Sequence, residues 1–367
     1  MNKTPFTVLG GTVLAFAGTG ASAQEMTLYG EIDASVAYVS DVGGRAQYRA
    51  GSGLIDGSFW GLQGKEDLGG GNAAVFRLER GFSVTSGESV DDHPFYVGLA
   101  SERFGALTLG RQYDTMHDYF APYVLTGGTG GTTFAHPFDN DNANNSWLAS
   151  NAVKVASATY GGFSAGAMYA FSNTAGRFAQ NRAYGFGAHF DGGPFNAGVA
   201  WMHLDGRGES PLGAYDTSVL PGAGLVPTEV AVQREDMIGA GMSYVLGDVT
   251  LGAAWSRSIR SGMSEAEGGG PLPSGAFSNY EVNAVWQATP ALSLAGMYAY
   301  TGASSANAAH WHQGAVQAVY QLSKRTDVYS EAVYQRASSG ALAMINTCDA
   351  SGGRNQLLVA AGVRHHF

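Results

Sequence analysis

The stretch Leu357-Leu358-Val359-Ala360-Ala361-Gly362-Val363-Arg364-His365-His366-Phe367 decides the fold. Taken backwards from Phe367, every second residue is Phe367, His365, Val363, Ala361, Val359 and Leu357; the other set is His366, Arg364, Gly362, Ala360 and Leu358. A period of two belongs to a β-strand, whose successive side chains point to opposite faces. Chain ends fray unless pairing or docking holds them. A terminal strand this regular is therefore expected to be paired along its length, and in a barrel its partner is the first strand, Met26 to Tyr38. Closing a sheet on itself leaves no unpaired edge, which is the condition for placing β-structure in lipid. The edge strand of a soluble sandwich alternates in the same way, so the rest of the chain must decide.

The opposite end carries Lys3, an apolar run from Phe6 to Ala17, and then Ala21-Ser22-Ala23. One positive charge, a short apolar core and an A-x-A site predict a secretory signal peptide over 1–23, with 24–367 as a single barrel domain. Beyond Ala23 no apolar run is long enough for a transmembrane helix. Hydrophobic residues make up 45% of the chain and charged ones only 14%, against roughly 25% charged in soluble domains. Glycine is abundant at 54 residues while proline stays at 11, so the glycine does not come with the proline of a disordered tract. An exported chain of this composition points to an all-β transmembrane barrel, whose strands meet lipid on one face and water on the other. The net charge of −10 argues against nucleic acid as a partner. The single Cys348 has no partner for an intramolecular disulfide.

Sixteen alternating segments can be placed, near 26–40, 50–66, 72–85, 91–102, 105–114, 151–160, 164–172, 182–191, 195–204, 234–246, 249–260, 277–287, 292–301, 310–322, 326–337 and 355–367. In Phe195–Met202, for example, Phe195, Ala197, Val199 and Trp201 oppose Asn196, Gly198, Ala200 and Met202. The connections break the tie with a sandwich. Short ones such as Asp67–Gly71, Gly192–Pro194 and Gly247-Asp248 alternate with long excursions at 115–150, 205–233, 261–276 and 338–354. Short turns at one end and long loops at the other are the pattern of an antiparallel barrel in the outer membrane.

Several motifs carry a family resemblance: Thr27-Leu28-Tyr29-Gly30-x-x-Asp33, Trp60-Gly61-Leu62-x-Gly64-x-Glu66-Asp67-Leu68-Gly69, Phe76-x-Leu78-Glu79-x-Gly81-Phe82, Phe104-Gly105-x-Leu107-x-Leu109-Gly110-Arg111, Leu322-Ser323-Lys324-Arg325-Thr326 and Gly362-x-Arg364-His365-x-Phe367. Spread in order over almost the whole mature chain, they resemble the general diffusion porins of Gram-negative bacteria, in the beta-proteobacterial branch. The resemblance implies a 16-stranded antiparallel barrel, a homotrimer in outer-membrane lipid, passage of ions and small hydrophilic solutes, and no cofactor. It also implies a third extracellular loop folded inward to narrow each pore, and Phe367 as the membrane-insertion signal.

The stretch from Thr115 to Ser150 falls third among the long-side loops and carries Tyr119, Phe120, Tyr123, Phe134, Phe138 and Trp147. A connection of this length is functional or disordered, and so many aromatics favour one packed on the inner wall. Its acids, Asp118, Asp139 and Asp141, are expected to face the water path. A loop folded over the barrel mouth is the alternative. Strand parity turns Arg77 and Lys154 inward, since a lipid-facing base at mid-depth costs about 2–4 kcal/mol. Pairing with Glu31, Asp33, Glu79 or Glu331 would reduce them to solvating the wall. The family pattern places arginines near Phe59 and at His93; with Phe and His there, anion selectivity is not implied for this chain. Arg45 and Arg49 are candidates to supply charge from the first loop. If His93 lines the eyelet, lowering the pH through its titration range should raise anion preference.

Asp139-Asn140-Asp141-Asn142-Ala143-Asn144 begins like a calcium loop, but Ala143 and Asn144 break the pattern. His310-Trp311-His312 and His365-His366 fit interfacial anchoring better than metal. No nucleophile–base motif supports a barrel enzyme. A plugged barrel or adhesin, using the loops at 205–233 and 261–276, differs from a channel in passing no steady current.

Overall fold

The computed structural model describes residues 25–90, 93–206, 213–214, 219–220, 230–265, 271–304 and 308–367; the expected signal peptide lies outside them. The strands form one sheet that closes on itself as sixteen antiparallel staves. They are β1 (Glu25–Val42), β2 in two arms (Arg45–Ser52 and Phe59–Gly69), β3 (Asn72–Phe82), β4 (Phe95–Ser101), β5 (Gly105–Gln112), β6 (Ala149–Ser157), β7 (Phe163–Ala170), β8 (Arg182–Gly192) and β9 (Phe195–Asp205). Then come β10 (Val230–Leu246), β11 (Val249–Glu265), β12 (Gly275–Thr289), β13 (Leu292–Ser304), β14 (Ala309–Gln321), β15 (Thr326–Ala337) and β16 (Asn355–His366). Three two-residue pieces, Ser89–Val90, Val219–Leu220 and Pro271–Leu272, only extend neighbouring staves.

Closure uses the pair expected from the terminal stretch. Glu31 faces His366 and Val39 faces Leu358 across the seam. Gly30 and Phe367 then exchange both backbone hydrogen bonds, Phe367 N–H to Gly30 O at 3.0 Å and Gly30 N–H to Phe367 O at 3.2 Å. The final residue is thus held by the ladder rather than fraying.

Parity sorts the side chains. Leu28, Trp60, Leu78, Val97, Leu109, Val155, Phe186, Val199, Tyr280, Tyr298, Val316 and Val363 are exposed on the outer face. Apolar surface on this scale, wrapped around a closed sheet, suits contact with lipid rather than water. Trp286 and Tyr320 lie near the short-turn end and Tyr280, Tyr300 and His312 toward the long-loop end, aligned across β12, β13 and β14.

The expected second segment, 50–66, is corrected in one respect. The strand starts earlier, at Arg45, and breaks between Ser52 and Phe59. Residues Gly53–Ser58 leave the ladder and push Leu54 and Ile55 into buried positions. Asp33 holds the break: its Oδ2 accepts the Ile55 N–H at 2.8 Å and its Oδ1 accepts the Tyr329 hydroxyl at 2.6 Å. The adjacent apolar pair between Gly53 and Gly57 cannot fit a period-two ladder, which explains why the stave interrupts there. Arg45 and Arg49 accordingly sit on a strand and not in a loop, since only Gly43 and Gly44 turn between β1 and β2.

Candidate functional site

The third connection at the long-loop end, residues 113–148 between β5 and β6, contains short helical turns where the sequence has no strand period. A one-turn helix, Thr115–Tyr119, is capped by Asp114, whose carboxylate accepts the His117 N–H at 2.9 Å. The same carboxylate accepts Asn142 Nδ2 at 2.7 Å, tying the start of the segment to its end. Burial pushes the Asp114 carboxyl up to about 6.

The inner wall receives the segment through missing side chains. A Cβ on Gly187 would come 2.4 Å from the Tyr119 ring, and one on Gly166 would come 2.2 Å from its hydroxyl. Gly239 makes room for Phe120, and Gly198 and Gly241 for Tyr123; a Cβ on any of the three would come 2.3–2.5 Å from those side chains, so no other residue fits unshifted. These glycines share the face opposite Val199, Ile238 and Met242, which are exposed. Tyr119, Phe120 and Tyr123 are therefore seated on the face of β7 to β10 opposite those exposed side chains.

Beyond Tyr123 the anchors become polar. The Leu125 N–H donates to Glu281 Oε1 at 2.7 Å, and Asn283 Nδ2 to the Tyr123 carbonyl at 3.0 Å. Thr132 N–H donates to the Leu54 carbonyl at 2.8 Å, so the far end of the segment meets the break in β2. Thr133 Oγ1 donates to Glu331 Oε1 at 2.8 Å, and Gln313 Nε2 to the carbonyls of Phe134 and Ala135 at 3.2 and 3.1 Å. The return limb joins Asn140 and Asp141 to Asn279 and Ser256.

One charged cluster lies among these anchors. His136, 1% exposed, places Nδ1 2.7 Å from Asp141 Oδ2 and Nε2 3.2 Å from Glu281 Oε2, the latter within ion-pair range but off the hydrogen-bond direction. Burial pushes the His136 imidazole down, yet Asp141 and Glu281 outweigh it and set its pKa at about 10. Burial likewise raises Asp141, but the neighbouring imidazolium holds it below the usual carboxylate range.

This corrects the expectation that the loop acids face the water path. Asp141 is fully buried, and Asp139 is 6% exposed with its oxygens accepting the N–H groups of Asn144 and Ser146 at 3.0 and 3.1 Å. Asp139 caps a turn, a sufficient reason for the alternating oxygens of that stretch. Burial, reinforced by the charge of Asp141, pushes its carboxyl up to about 6. Asp118 alone of the three remains partly exposed, at 2.7 Å from Lys154 Nζ. Burial raises its carboxyl, but Lys154 and His117 together offset this and leave it below the usual range.

The wall candidates are distributed as follows. Arg77 is 2.5 Å from Glu79 Oε1 and donates to the Tyr29 hydroxyl at 3.0 Å. Glu31 lies 3.0 Å from His366 Nδ1 and 3.9 Å from Arg364, while Asp33 is committed to the β2 break. His93 is buried, its ring 4.7 Å from that of Phe59. Arg49 donates to the Thr347 carbonyl at 2.6 Å, which assigns it to the last long loop; Arg45 is exposed beside the Gly43-Gly44 turn. Lys154 and Asp118 come together, as do Arg77 and Glu79, but these groups do not form one cluster with Asp139 and Asp141. Sequence reasoning missed His136, Glu281 and the glycine seats. The seats had a signal: Gly185 and Gly187, and Gly239 and Gly241, recur at strand spacing on one face.

A family model for the Gram-negative porin matches residues 10–340. An outer membrane porin protein of Bordetella pertussis is 28% identical over 413 aligned residues, covering 98% of this chain and 99% of its own. Outer membrane porin protein 32 of Delftia acidovorans is 33% identical over 205 residues, covering 51% of this chain and 56% of its own. Among solved structures, the anion-selective porin from Comamonas acidovorans overlays with a TM-score of 0.75 at 24% identity, over 94% of this chain and 100% of that one, a likeness of fold. The chain belongs to the Gram-negative porin family, and it forms a channel in the bacterial outer membrane.

Proposed function

We propose that the protein is a passive diffusion channel for ions and small hydrophilic solutes, with its eyelet between segment 113–148 and the arc of wall from β1 to β6. The observation that carries this reading is the seating of the segment. Its aromatics enter glycine seats on β7 to β10, and its far end reaches Glu331 on β15 and the break in β2. A segment fixed at so many points leaves the solute path to the facing arc, where Arg77, Lys154, Tyr29 and Glu31 lie, with Asp118 of the segment set against Lys154. Hydrated solutes would cross without turnover, sorted by eyelet size and by the field of those side chains.

The leader over 1–23 would be removed on export, and the C-terminal Phe367, paired with Gly30, would serve as the membrane-insertion signal. We take the assembly to be a homotrimer; a solved neighbour from Vibrio cholerae is described as a trimer form. The outer face of β4 and β5 suits a subunit contact, because Val97, Leu99, Leu107 and Leu109 make it aliphatic where β8 and β9 present Phe186 and Trp201. The test is single-channel recording of the purified, folded protein in a planar bilayer. Steady current in steps grouped by three supports a trimer of open pores. Folded protein that passes no current would turn the reading to an adhesin or plugged barrel.

A further inference from the structure

The last long loop, residues 338–354 between β15 and β16, is held by side chains of the staves beside it. Three of these come from the face opposite the exposed one. Trp311 lies between exposed His310 and His312, Gln335 between exposed Tyr334 and Arg336, and Arg49 between exposed Tyr48 and Ala50. The Trp311 Nε1–H donates to the Leu342 carbonyl at 3.0 Å. Gln335 Oε1 accepts the Met344 N–H at 2.6 Å, and the buried Gln356 accepts the Ile345 N–H through its Oε1 at 2.7 Å. At the tip, Asn346 Nδ2 donates to the Thr132 carbonyl at 2.8 Å, so the loop reaches segment 113–148.

The wall beneath this loop is unlike the lining of a wet lumen. On that same face Val39, Val333 and Leu358 are fully buried. They share one apolar cluster with Leu54 of the β2 break, Phe134 of segment 113–148 and Ile345 of the loop. A water-filled barrel interior is polar, and baring these side chains to water would forfeit the stabilisation their burial gives. This arc is built to be covered, and the loop is part of the cover.

The tip of the loop is both strained and clasped. Thr347 has a φ of 69°, a left-handed backbone that a β-branched residue rarely adopts. Such a conformation persists only where the surroundings over-determine it. Arg49 supplies the constraint: its Nη1 donates to the Thr347 carbonyl at 2.6 Å and its Nη2 to the Thr347 hydroxyl at 3.0 Å. Nη2 also lies 3.6 Å from Cys348 Sγ, and the Cys348 N–H closes the turn onto the Ile345 carbonyl at 2.9 Å. A planar guanidinium grips one residue at two atoms in a way that the point charge of a lysine does not reproduce.

We infer that loop 338–354 folds into the lumen beside segment 113–148 as a second constricting element, and that the Arg49–Thr347 clasp sets the upper size limit of the solutes that pass. The inference rests on the channel reading above. It makes Arg49 a positioning residue, acting through the loop rather than on the solute. With the clasp made, the loop closes the space between the far end of the segment and the wall from β14 to β16. With the clasp open, the tip leaves Thr132 and the passage widens on that side.

Cys348 is the chain's single cysteine and is buried, so its thiol reports on the tip. A membrane-impermeant maleimide should label folded wild type slowly. Arg49→Lys should label about 10-fold faster or more, having lost two charge-assisted hydrogen bonds. Prompt labelling of wild type, or equal rates in the two proteins, overturns the clasp. Because Arg49→Lys keeps the charge, its single-channel conductance should rise at 1 M KCl, where the Debye length is about 3 Å, as well as at 0.1 M. Liposomes carrying the variant should also swell faster in a tetrasaccharide relative to a monosaccharide. Faster labelling with unchanged conductance and sieving overturns the constricting role. Excision of residues 341–351 keeps the test independent of how a lysine fits: the excised channel should conduct more and admit larger sugars, and wild-type sieving from it overturns the proposal. Folded wild type that passes no current is a different result, which defeats the channel reading itself and leaves the labelling rates to decide the clasp.

Discussion

Replacing His136 by alanine should loosen segment 113–148 without opening the barrel. The imidazole separates two carboxylates, Asp141 and Glu281, whose side chains are both 0% exposed. Its pKa of about 10 in the folded protein, set against about 6.5 for the free side chain, corresponds to about 5 kcal/mol of coupling to its surroundings. Removing one partner of a buried pair costs about 3–5 kcal/mol, and the two acids left behind would repel each other across the vacated space. The glycine seats and the Thr132 contact still hold the segment at its ends. We therefore expect local opening, centred on the Leu125 N–H that donates to Glu281, with hydrogen exchange there faster by about 100-fold or more. Open-channel current should become noisier and close at lower voltage. The sign with pH is fixed: a folded pKa above the unfolded one gives stabilisation that is complete below about 6.5 and lost as the pH rises through about 10. Asp114 and Asp139, pushed up by burial to about 6, are already ionised in that window and do not mask it. Wild type should thus grow noisier between pH 8 and 10.5, and His136→Ala should not change further. Wild-type exchange at Leu125 in the variant, or a quiet wild-type channel at pH 10.5, would refute the argument.

Gly187→Leu should displace Tyr119, since even a Cβ there lies 2.4 Å from the ring; the expected cost is about 1–3 kcal/mol of loop docking, read as lost exchange protection over 115–123. Lys154→Gln frees Asp118 from a contact of 2.7 Å and should shift the reversal potential toward cations; a shift toward anions would contradict the pairing. Asp33→Ala leaves the Ile55 N–H and the Tyr329 hydroxyl without their acceptor, and should lower thermal stability by about 2–4 kcal/mol and raise conductance as the β2 break relaxes, both measurable on the purified protein. Phe367→Ala keeps the backbone pair with Gly30 and loses the ring over it, so export should continue while the yield of folded barrel in outer-membrane fractions falls.

The barrel was legible because its strands have a period. Leu357 to Phe367 alone named both faces of the last stave and its partner across the seam. Parity also turned Arg77 and Lys154 inward, and the structure keeps Leu78 and Val155 exposed on the opposite face. Where the period ends, the inference weakened. Nothing in Asp139-Asn140-Asp141 says which way a turn will face, and the acids expected at the water path are the ones holding the loop down. The β2 break was visible as Leu54-Ile55 between glycines, but a strand with one bulge and a strand with a long interruption differ only in what lies inside to meet them. Here that is Thr132, more than seventy residues away.

The anchors of segment 113–148 also impose an order on assembly. Its contacts reach Glu281, Gln313 and Glu331, residues made long after the segment itself. A chain that has folded its first six staves has the loop but nothing to receive its far half. Contacts so distant in sequence form late, because the intervening chain must first be closed. The proposed aperture would therefore be the last part of the molecule to be finished, and a barrel halted just before β15 and β16 join would present a wide, unguarded hole. Coupling completion of the aperture to completion of the wall means that an arrested intermediate and a working protein differ in leakiness as well as in shape.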